Sequence, residues 1–227
     1  MLDQTPTSFA GVTTAGVQME ESKERVPSTG GNLFSKVESG IYLGTIEDAH
    51  IQSAQSSKAK ALKLTIKLES GELITESMWV TNRSGQSFYT KDGQNYPLPD
   101  YGRVGSLSGL LVGKEMNELT FTETSMTDRS YGAAAGAMTT VSQATELVGK
   151  QIKVAVLKVI EYKQAPDVNG IWQNTSETKV TNTFEKFFDP VTNLTNSERV
   201  TRHPASYHDA WLEKQGGKTW DKTKSRT

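Results

Sequence analysis

The residues in this chain with chemistry to offer are concentrated between Glu76 and Tyr101, in the stretch ESMWVTNRSGQSFYTKDGQNYPLPDY. Its aromatic and cationic side chains alternate along the stretch: Trp79, Phe88, Tyr89, Tyr96 and Tyr101 with Arg83 and Lys91. Aromatic rings beside cations on a turn-rich backbone suit a surface that stacks flat rings and neutralises phosphates. The same pattern is typical of a long hairpin whose aromatic residues pack onto a sheet, and taken alone it slightly favours that packed hairpin.

Neither catalytic nor metal chemistry is indicated elsewhere. The three histidines, His50, His203 and His208, have no spacing that suits zinc or His-based catalysis, and we expect them on the surface. The segments GLLVGKE and QGGKT resemble phosphate-binding loops, but Ser108 and Leu212 stand where the first glycine is required. The carboxylates are scattered at strand ends and turns. We therefore expect a protein that is not an enzyme, with no metal and no cofactor.

The bulk composition limits the class of protein. The chain has 227 residues, of which 35% are hydrophobic, and a net charge of -1; its mean hydropathy is -0.52. A near-neutral total excludes a protein coated in positive charge but still allows a local basic stripe. The chain has no cysteine, no apolar run near the ~18 residues of a membrane span and no signal-peptide pattern. These features predict a soluble, cytoplasmic protein without membrane contact.

Hydrophobic patterning predicts a mostly β domain over residues 36–200, preceded by a flexible arm, residues 1–35. The predicted strands are IYLGTIEDAHI, KALKLTIKLES, LITESMWV, QIKVAVLKVIEYK and TKVTNTFEKFFD. In the last of them Val180, Phe184 and Phe188 share one face if the alternation is regular.

The second and third strands have one polar face each. Leu62, Leu64, Ile66 and Leu68 alternate with Lys63, Thr65 and Lys67. In the third strand Ile74, Met78 and Val80 mark the core, so Trp79 lies on the opposite face with Thr75 and Ser77. An exposed Trp beside a lysine-bearing strand requires a partner, which shifts the balance towards a binding surface.

The remaining segments complete the predicted domain. VGSLSGLLVGK predicts a short helix between strands three and four, and residues 82–101 form an aromatic flap. Residues 115–147 are predicted as a flexible loop containing the Gly/Ala tract at 132–137. Residues 201–227 are predicted as a helix, ASYHDAWLEKQ, that ends at Gly216-Gly217, followed by a loose basic tail. The order of elements predicts a five-stranded OB-type Greek-key barrel with extended hairpins and a C-terminal helix.

Three segments carry a family resemblance: SMWVTNRSGQSFYTKDGQNYPLPDY, ELVGKQIKVAVLKVIEYK and FEKFFDPVTNLTNSE. Together they resemble bacteriophage single-stranded DNA-binding proteins, over roughly residues 40–215. The most specific part is W-V-T-N-R-x-G-x-x-F-Y, followed by D-G and P-L-P. The resemblance implies an OB-fold protein that coats single strands during phage replication and recombination without selecting sequence.

That resemblance implies nucleic-acid contacts from Trp79, Arg83, Phe88 and Tyr89. With the cations of the predicted strands added, the hypothesis is capture of phosphates followed by stacking of bases. The proposed phosphate track is Lys58, Lys60, Lys63, Lys67, Arg83, Lys91 and Lys153, and the proposed stacking residues are Trp79, Phe88, Tyr89 and Tyr96. We expect Tyr42 and Tyr101 to be packing residues.

Two alternatives stay open at this point. The same aromatic face would also serve a non-catalytic phage structural or protein-interaction module that binds protein instead of DNA. The chain also departs from many single-strand binders, which end in an acidic tail that recruits replication enzymes, because it ends with Lys218, Lys222, Lys224 and Arg226. Either phage replication or recombination proteins are recruited differently, or the basic tail adds nonspecific contact with DNA.

Overall fold

The computed structural model describes residues 37–54, 57–127, 137–166 and 172–224. Most of the described secondary structure is strand. The strands are β1 (Gly40–Ser53), β2 (Lys60–Leu68), β3 (Leu73–Trp79), β4 (Phe88–Lys91), β5 (Gln94–Pro97), β6 (Thr122–Thr127), β7 (Met138–Gln143), β8 (Gln151–Pro166), β9 (Trp172–Phe188) and β10 (Thr219–Asp221). The helices are α1 (Pro99–Val112), α2 (Asn196–Thr201) and α3 (Tyr207–Gln215), with a 3-10 turn at Met116–Glu118.

Five long strands form the centre of the fold in the spatial order β3-β2-β1-β8-β9, and every neighbouring pair is antiparallel. These are the five strands that the hydrophobic alternation predicts. The β6–β7 hairpin joins the edge of β1 beyond β8, where His50 pairs with Gln143. The β4–β5 hairpin is a separate two-stranded sheet, and β10 lies parallel to β8.

Apolar residues cover both faces of part of this sheet. The main core lies between β1, β2, β3, the near half of β8 and helix α1, where Val104 and Leu107 are completely buried. A second, smaller core lies on the opposite face of β8, where Leu157 and Val159 pack with Phe188 and Trp211 of α3. Burial on both faces explains why β8 reads as a nearly continuous apolar run instead of an alternating one.

A β-bulge in β9 changes the predicted faces of its phenylalanines. Between the pairs Ala155–Lys186 and Val156–Phe184 the register shifts, so Glu185 is the extra residue. Phe184 and Phe187 consequently enter the main core, while Phe188 enters the second core. The prediction that Phe184 and Phe188 share a face is therefore wrong, because regular alternation does not continue through a bulge.

The sheet is not a closed barrel. β3 and β9 are the ends of the five-strand path, and within the described residues no backbone ladder joins them. Side chains bridge this gap: the Phe184 N–H donates to Glu76, and the Arg103 guanidinium donates to the Phe184 carbonyl. A polar bridge between β3, α1 and β9 therefore takes the place of the predicted barrel closure. Helix α1 does follow the third strand, as predicted, and begins earlier than the pattern indicated, at Pro99.

Two predicted loose segments are regular where the structure describes them. Residues 115–147 contain the 3-10 turn and the β6–β7 hairpin, and most of the Gly/Ala tract lies outside the described residues. In the C-terminal segment, β10 pairs with β8 and Lys222 Nζ lies 3.1 Å from Glu161 Oε2, so the expectation of a loose tail is wrong there. The predicted helix near Trp211 is present as α3, while the predicted arm, residues 1–35, lies outside the described part of the chain.

A buried ionic network holds the bridge together. Arg103 contacts Glu76, with 3.3 Å between Nη1 and Oε1, and also Asp100 one turn earlier in α1. Burial opposes the guanidinium charge, but the two carboxylates more than offset this and raise the pKa of Arg103. Asp100 also accepts the backbone N–H of Trp79 at 2.7 Å. One cluster therefore fixes β3, β9 and the start of α1 relative to one another.

We expect Arg103→Met to lower the free energy of unfolding by about 3–5 kcal/mol, because it leaves two buried carboxylates without their countercharge. Equilibrium urea unfolding followed by circular dichroism measures this. The matched control is Lys163→Met, which breaks the exposed pair with Glu177 and should leave the midpoint almost unchanged. A loss below about 1 kcal/mol for Arg103→Met would show that the network does not hold the sheet ends together.

Candidate nucleic-acid interface

The face of β1, β2 and β3 that points away from the main core is polar, and we call it the polar face. Strand register places its side chains in rows across the three strands: His50–Lys63–Ser77, Asp48–Thr65–Thr75 and Gln52–Ala61–Trp79. Lys67 continues the face beyond Thr65. The prediction that Lys63, Lys67 and Trp79 share a face opposite the apolar residues of β2 and β3 is confirmed.

Hydrogen bonds between neighbouring strands fix the polar face. The Thr65 and Thr75 hydroxyls lie 2.9 Å apart, and the Ser77 hydroxyl donates to Gln52 Oε1 at 2.6 Å. Thr65 and Ser77 are each buried to more than nine tenths. Since these groups satisfy one another, the face is preorganised and does not have to rearrange to receive a ligand.

At the centre of the polar face lies a buried acid–imidazole pair. A bulge at Glu47 brings Asp48 and His50 onto this face, where Asp48 Oδ2 lies 2.5 Å from His50 Nδ1. Gln143 of β7 donates to the other carboxylate oxygen at 2.9 Å. Burial alone would raise the pKa of Asp48, but the hydrogen bonds from His50 and Gln143 and the charge of Lys63 lower it. Asp48 is therefore an ionised carboxylate held among neutral and positive groups.

The sequence patterns did not predict this pair. The expectation that His50 is a surface residue is wrong, because only 8% of it is exposed. The signal was present: Asp48, His50 and Gln52 stand at alternate positions, which indicates one polar strand face. Alternation within β1 does not reveal the contribution of Gln143. Gln143 lies on the β6–β7 hairpin, far along the chain from Asp48 and His50.

Trp79 lies at the end of the polar face and is half-buried. Its register partner on β2 is Ala61, whose small side chain leaves room beside the indole. Its backbone N–H is held by Asp100, so the ionic network that joins the sheet ends also fixes this residue. The backbone at Trp79 is thus held in place and the indole is partly accessible, which suits stacking.

The aromatic flap stands next to Trp79 in the chain. Its tip is the turn Asp92-Gly93, where both residues have positive φ (53° and 76°), as a tight two-residue hairpin requires. Tyr89 and Tyr96 stack across the two strands with ring centroids 5.6 Å apart and an interplanar angle of 24°. They are 40% and 38% exposed. Lys91 shares the strand face of Tyr89, whereas Phe88 has the opposite parity and is half-buried.

Asn82 organises the base of the flap. Its side-chain oxygen accepts the N–H groups of Ser84 and Gln86 at 2.9 and 3.0 Å, and its amide donates to the Phe88 carbonyl at 3.0 Å. The Lys58 N–H donates to the Arg83 carbonyl at 3.1 Å, which joins the loop before β2 to this base. Lys58 and Arg83, both exposed, therefore meet at the Trp79 end of the polar face.

Two predicted site lysines lie elsewhere. Lys60 has the strand parity of Leu62, which places it opposite Lys63, and burial lowers its pKa. Lys153 of β8 pairs with Leu43 of β1. Leu43 lies about 20 Å from His50 along β1, at a rise of roughly 3.3 Å per residue. Its ammonium donates to Asn193 at 2.7 Å. The structure therefore separates both from the cluster around Trp79.

Ion pairing distinguishes four of these cations from five lysines elsewhere in the chain. Lys114, Lys158, Lys163, Lys179 and Lys222 each form an ion pair. By contrast, no carboxylate among the described residues pairs with Lys58, Lys67, Arg83 or Lys91. Lys58, Arg83 and Lys91 therefore leave positive charge available at the Trp79 end of the polar face and on the flap, and Lys67 leaves it at the opposite end of the face.

The other two aromatic residues considered, Tyr42 and Tyr101, are packing residues. Tyr101 is 5% exposed, and burial, together with the charge of Glu115, raises its pKa. Tyr42 packs against the main core. Both are packing residues, as predicted.

Comparison with known proteins adds no assignment, since no family model matches the sequence and no curated protein matches it significantly. Over the described ranges, no helix is long and apolar enough to cross a membrane. Within the same residues no group of three or more His, Asp or Glu side chains is placed to hold a metal ion.

We expect Asn82→Ala to loosen the flap while the sheet stays folded. Three hydrogen bonds are lost at the flap base, each worth about 1 kcal/mol, so local opening should increase at least about fivefold. Trypsin cleavage after Arg83 and Lys91 in the native protein reports that opening.

Asn82→Asp is the matched control, because it keeps both acceptor contacts and loses only the amide donor, which serves Phe88 and Gln86. Its cleavage rate should fall between wild type and Asn82→Ala. Equal rates for wild type and Asn82→Ala would show that Asn82 does not organise the flap.

Proposed function

We propose that this protein binds single-stranded DNA without sequence selection and coats it during phage DNA replication and recombination. The observation that carries the proposal is that the flap directly after Trp79 bears the stacked pair Tyr89–Tyr96 with Arg83 and Lys91, and that the loop of Lys58 is hydrogen-bonded to the base of this flap. Proteins that hold single strands use this combination of aromatic stacking surfaces and cations along the backbone.

The strand arrangement supports the same proposal. The order β3-β2-β1-β8-β9, with a helix after β3, is that of an OB fold, which binds oligonucleotides across its second and third strands. In this chain β2 and β3 carry Lys63, Lys67 and Trp79 on one face. We propose that the fold is an OB-type Greek key that is left open between β3 and β9 and bridged there by side chains.

Each part of the surface has a separate task in this mechanism. The cations attract the phosphates and release their counterions, which makes binding depend on salt. Trp79 and the tyrosine pair then stack bases, and a stack is worth about 1–3 kcal/mol per base. Because every base has a flat face, stacking does not select sequence. The proposal places the protein in the cytoplasm of an infected bacterium, with phage replication or recombination proteins as further partners.

We expect oligo(dT) to bind and the affinity to fall steeply with salt. Contacts from Lys58, Lys67, Arg83 and Lys91, the cations that pair with no carboxylate among the described residues, neutralise about four phosphates, which gives a log–log slope near -3 at roughly 0.7 per phosphate. Affinity should therefore fall about 60-fold between about 50 and 200 mM salt. Anisotropy of a labelled oligonucleotide measures this. Absence of binding at the lower salt concentration would favour the alternative, a protein-interaction module.

Variants test which residues form the surface. We expect Trp79→Ala and Tyr89→Ala each to weaken oligo(dT) binding by about 1–3 kcal/mol, or roughly 5–150-fold, through loss of stacking. Tyr207→Ala removes a comparably exposed tyrosine from α3 and should leave the affinity unchanged. Lys153→Gln should also have little effect, because its partner is Asn193. Equal losses in Tyr89→Ala and Tyr207→Ala would contradict the assignment of the flap.

A further inference from the structure

A negative charge lies at the centre of the surface that is proposed to bind a polyanion. Asp48 is fixed there by His50 and Gln143, and its residue is 6% exposed. It adjoins Lys63, whose charge it offsets. Stacking residues and phosphate-binding cations do not account for a carboxylate in this position.

The positive and negative groups occupy different parts of the surface. Asp48 lies about 16 Å from Trp79, at a strand spacing of about 4.8 Å and a rise of about 3.3 Å per residue. Lys58, Arg83 and Lys91, which pair with no carboxylate in the part of the chain that the structure describes, lie at the Trp79 end, on the loop before β2 and on the flap. The edge of the surface is therefore positive, while its centre is polar and carries a carboxylate.

We propose that Asp48 makes this surface selective for single strands over duplexes. The inference rests on the proposed function. A phosphate placed over the centre of the polar face meets the Asp48 carboxylate, which repels it. A base placed there carries no charge and is not repelled.

The two forms of nucleic acid differ in what they present to this centre. A single strand turns its bases towards the sheet and leaves its phosphates at the positive edge. A duplex keeps its bases paired inside and presents phosphates along both outer strands, so it cannot cover the face without a phosphate near Asp48. The depressed pKa of Asp48 keeps this repulsion present at neutral pH.

The test compares Asp48→Asn with wild type on two probes, oligo(dT) and a blunt hairpin duplex of similar total charge, at one low salt concentration. Asparagine keeps an acceptor for Gln143 and a polar contact with His50 while removing the charge. We expect duplex affinity to rise about tenfold, equivalent to about 1.4 kcal/mol. Affinity for oligo(dT) should rise much less, because its phosphates already lie away from Asp48.

Glu47→Gln is the matched control, because it removes the same charge one residue away at the exposed bulge. It should not change the ratio of the two affinities. An equal change in that ratio, or an equal rise for both probes in Asp48→Asn, would overturn the inference by showing a general charge effect. An unchanged duplex affinity in Asp48→Asn would overturn it as well.

A second variant keeps the test independent of how Asp48→Asn folds. Thr75→Asp adds another carboxylate to the row of Asp48 and should weaken duplex binding more than oligo(dT) binding. Thermal unfolding of each variant confirms that it is folded. Failure of the wild type to bind oligo(dT) would remove the proposed function itself, whereas binding of oligo(dT) with no change in selectivity would remove only the role of Asp48.

Discussion

The buried contact between Arg103 and the carboxylates of Glu76 and Asp100 is the constraint on which the arrangement of this fold depends. Burying three charges is costly, and the cost is offset only when each charge has partners in good geometry. Here the partners are backbone groups as well as side chains: the network takes in the N–H of Trp79 and both backbone groups of Phe184. It thereby joins two sheet ends that have no ladder between them and fixes the residue proposed to stack bases.

Two β-bulges distribute polar and apolar residues between the faces of the sheet. The bulge at Glu47 turns Asp48 and His50 onto the polar face. The bulge at Glu185 allows β9 to contribute to cores on both sides of the sheet. Each bulge inserts one residue into a long strand. Because side chains alternate between the two faces of a sheet, one inserted residue moves the side chains that follow it to the opposite face. The positions of Asp48 and His50 on the polar face and of Phe188 in the second core follow from these insertions.

Cations without a carboxylate partner are part of the proposed binding surface. Lys114, Lys158 and Lys163 lie beside carboxylates, whereas Lys58, Arg83 and Lys91 do not, within the described residues. A chain with a net charge of -1 therefore still presents a local positive edge. The Asp48 carboxylate places a negative charge at the centre of a surface with a positive edge. The arrangement of charges contributes more to specificity than the total charge does.

The sequence by itself determined the five long strands, the helix after β3, the helix that carries Trp211 and the face on which Trp79 lies. These follow from local periodicity, since hydrophobic alternation assigns each residue to a face within one strand. The alternation within β2 also separates Lys60 from Lys63, so the sequence already placed Lys60 on the other face. Only the tertiary structure decided the open sheet, the separation of Lys153 from the site, and the burial of His50. Each of these depends on a bulge or on a partner distant in sequence, such as Gln143 or Phe184. Local periodicity carries no information about such partners, because it describes one strand at a time.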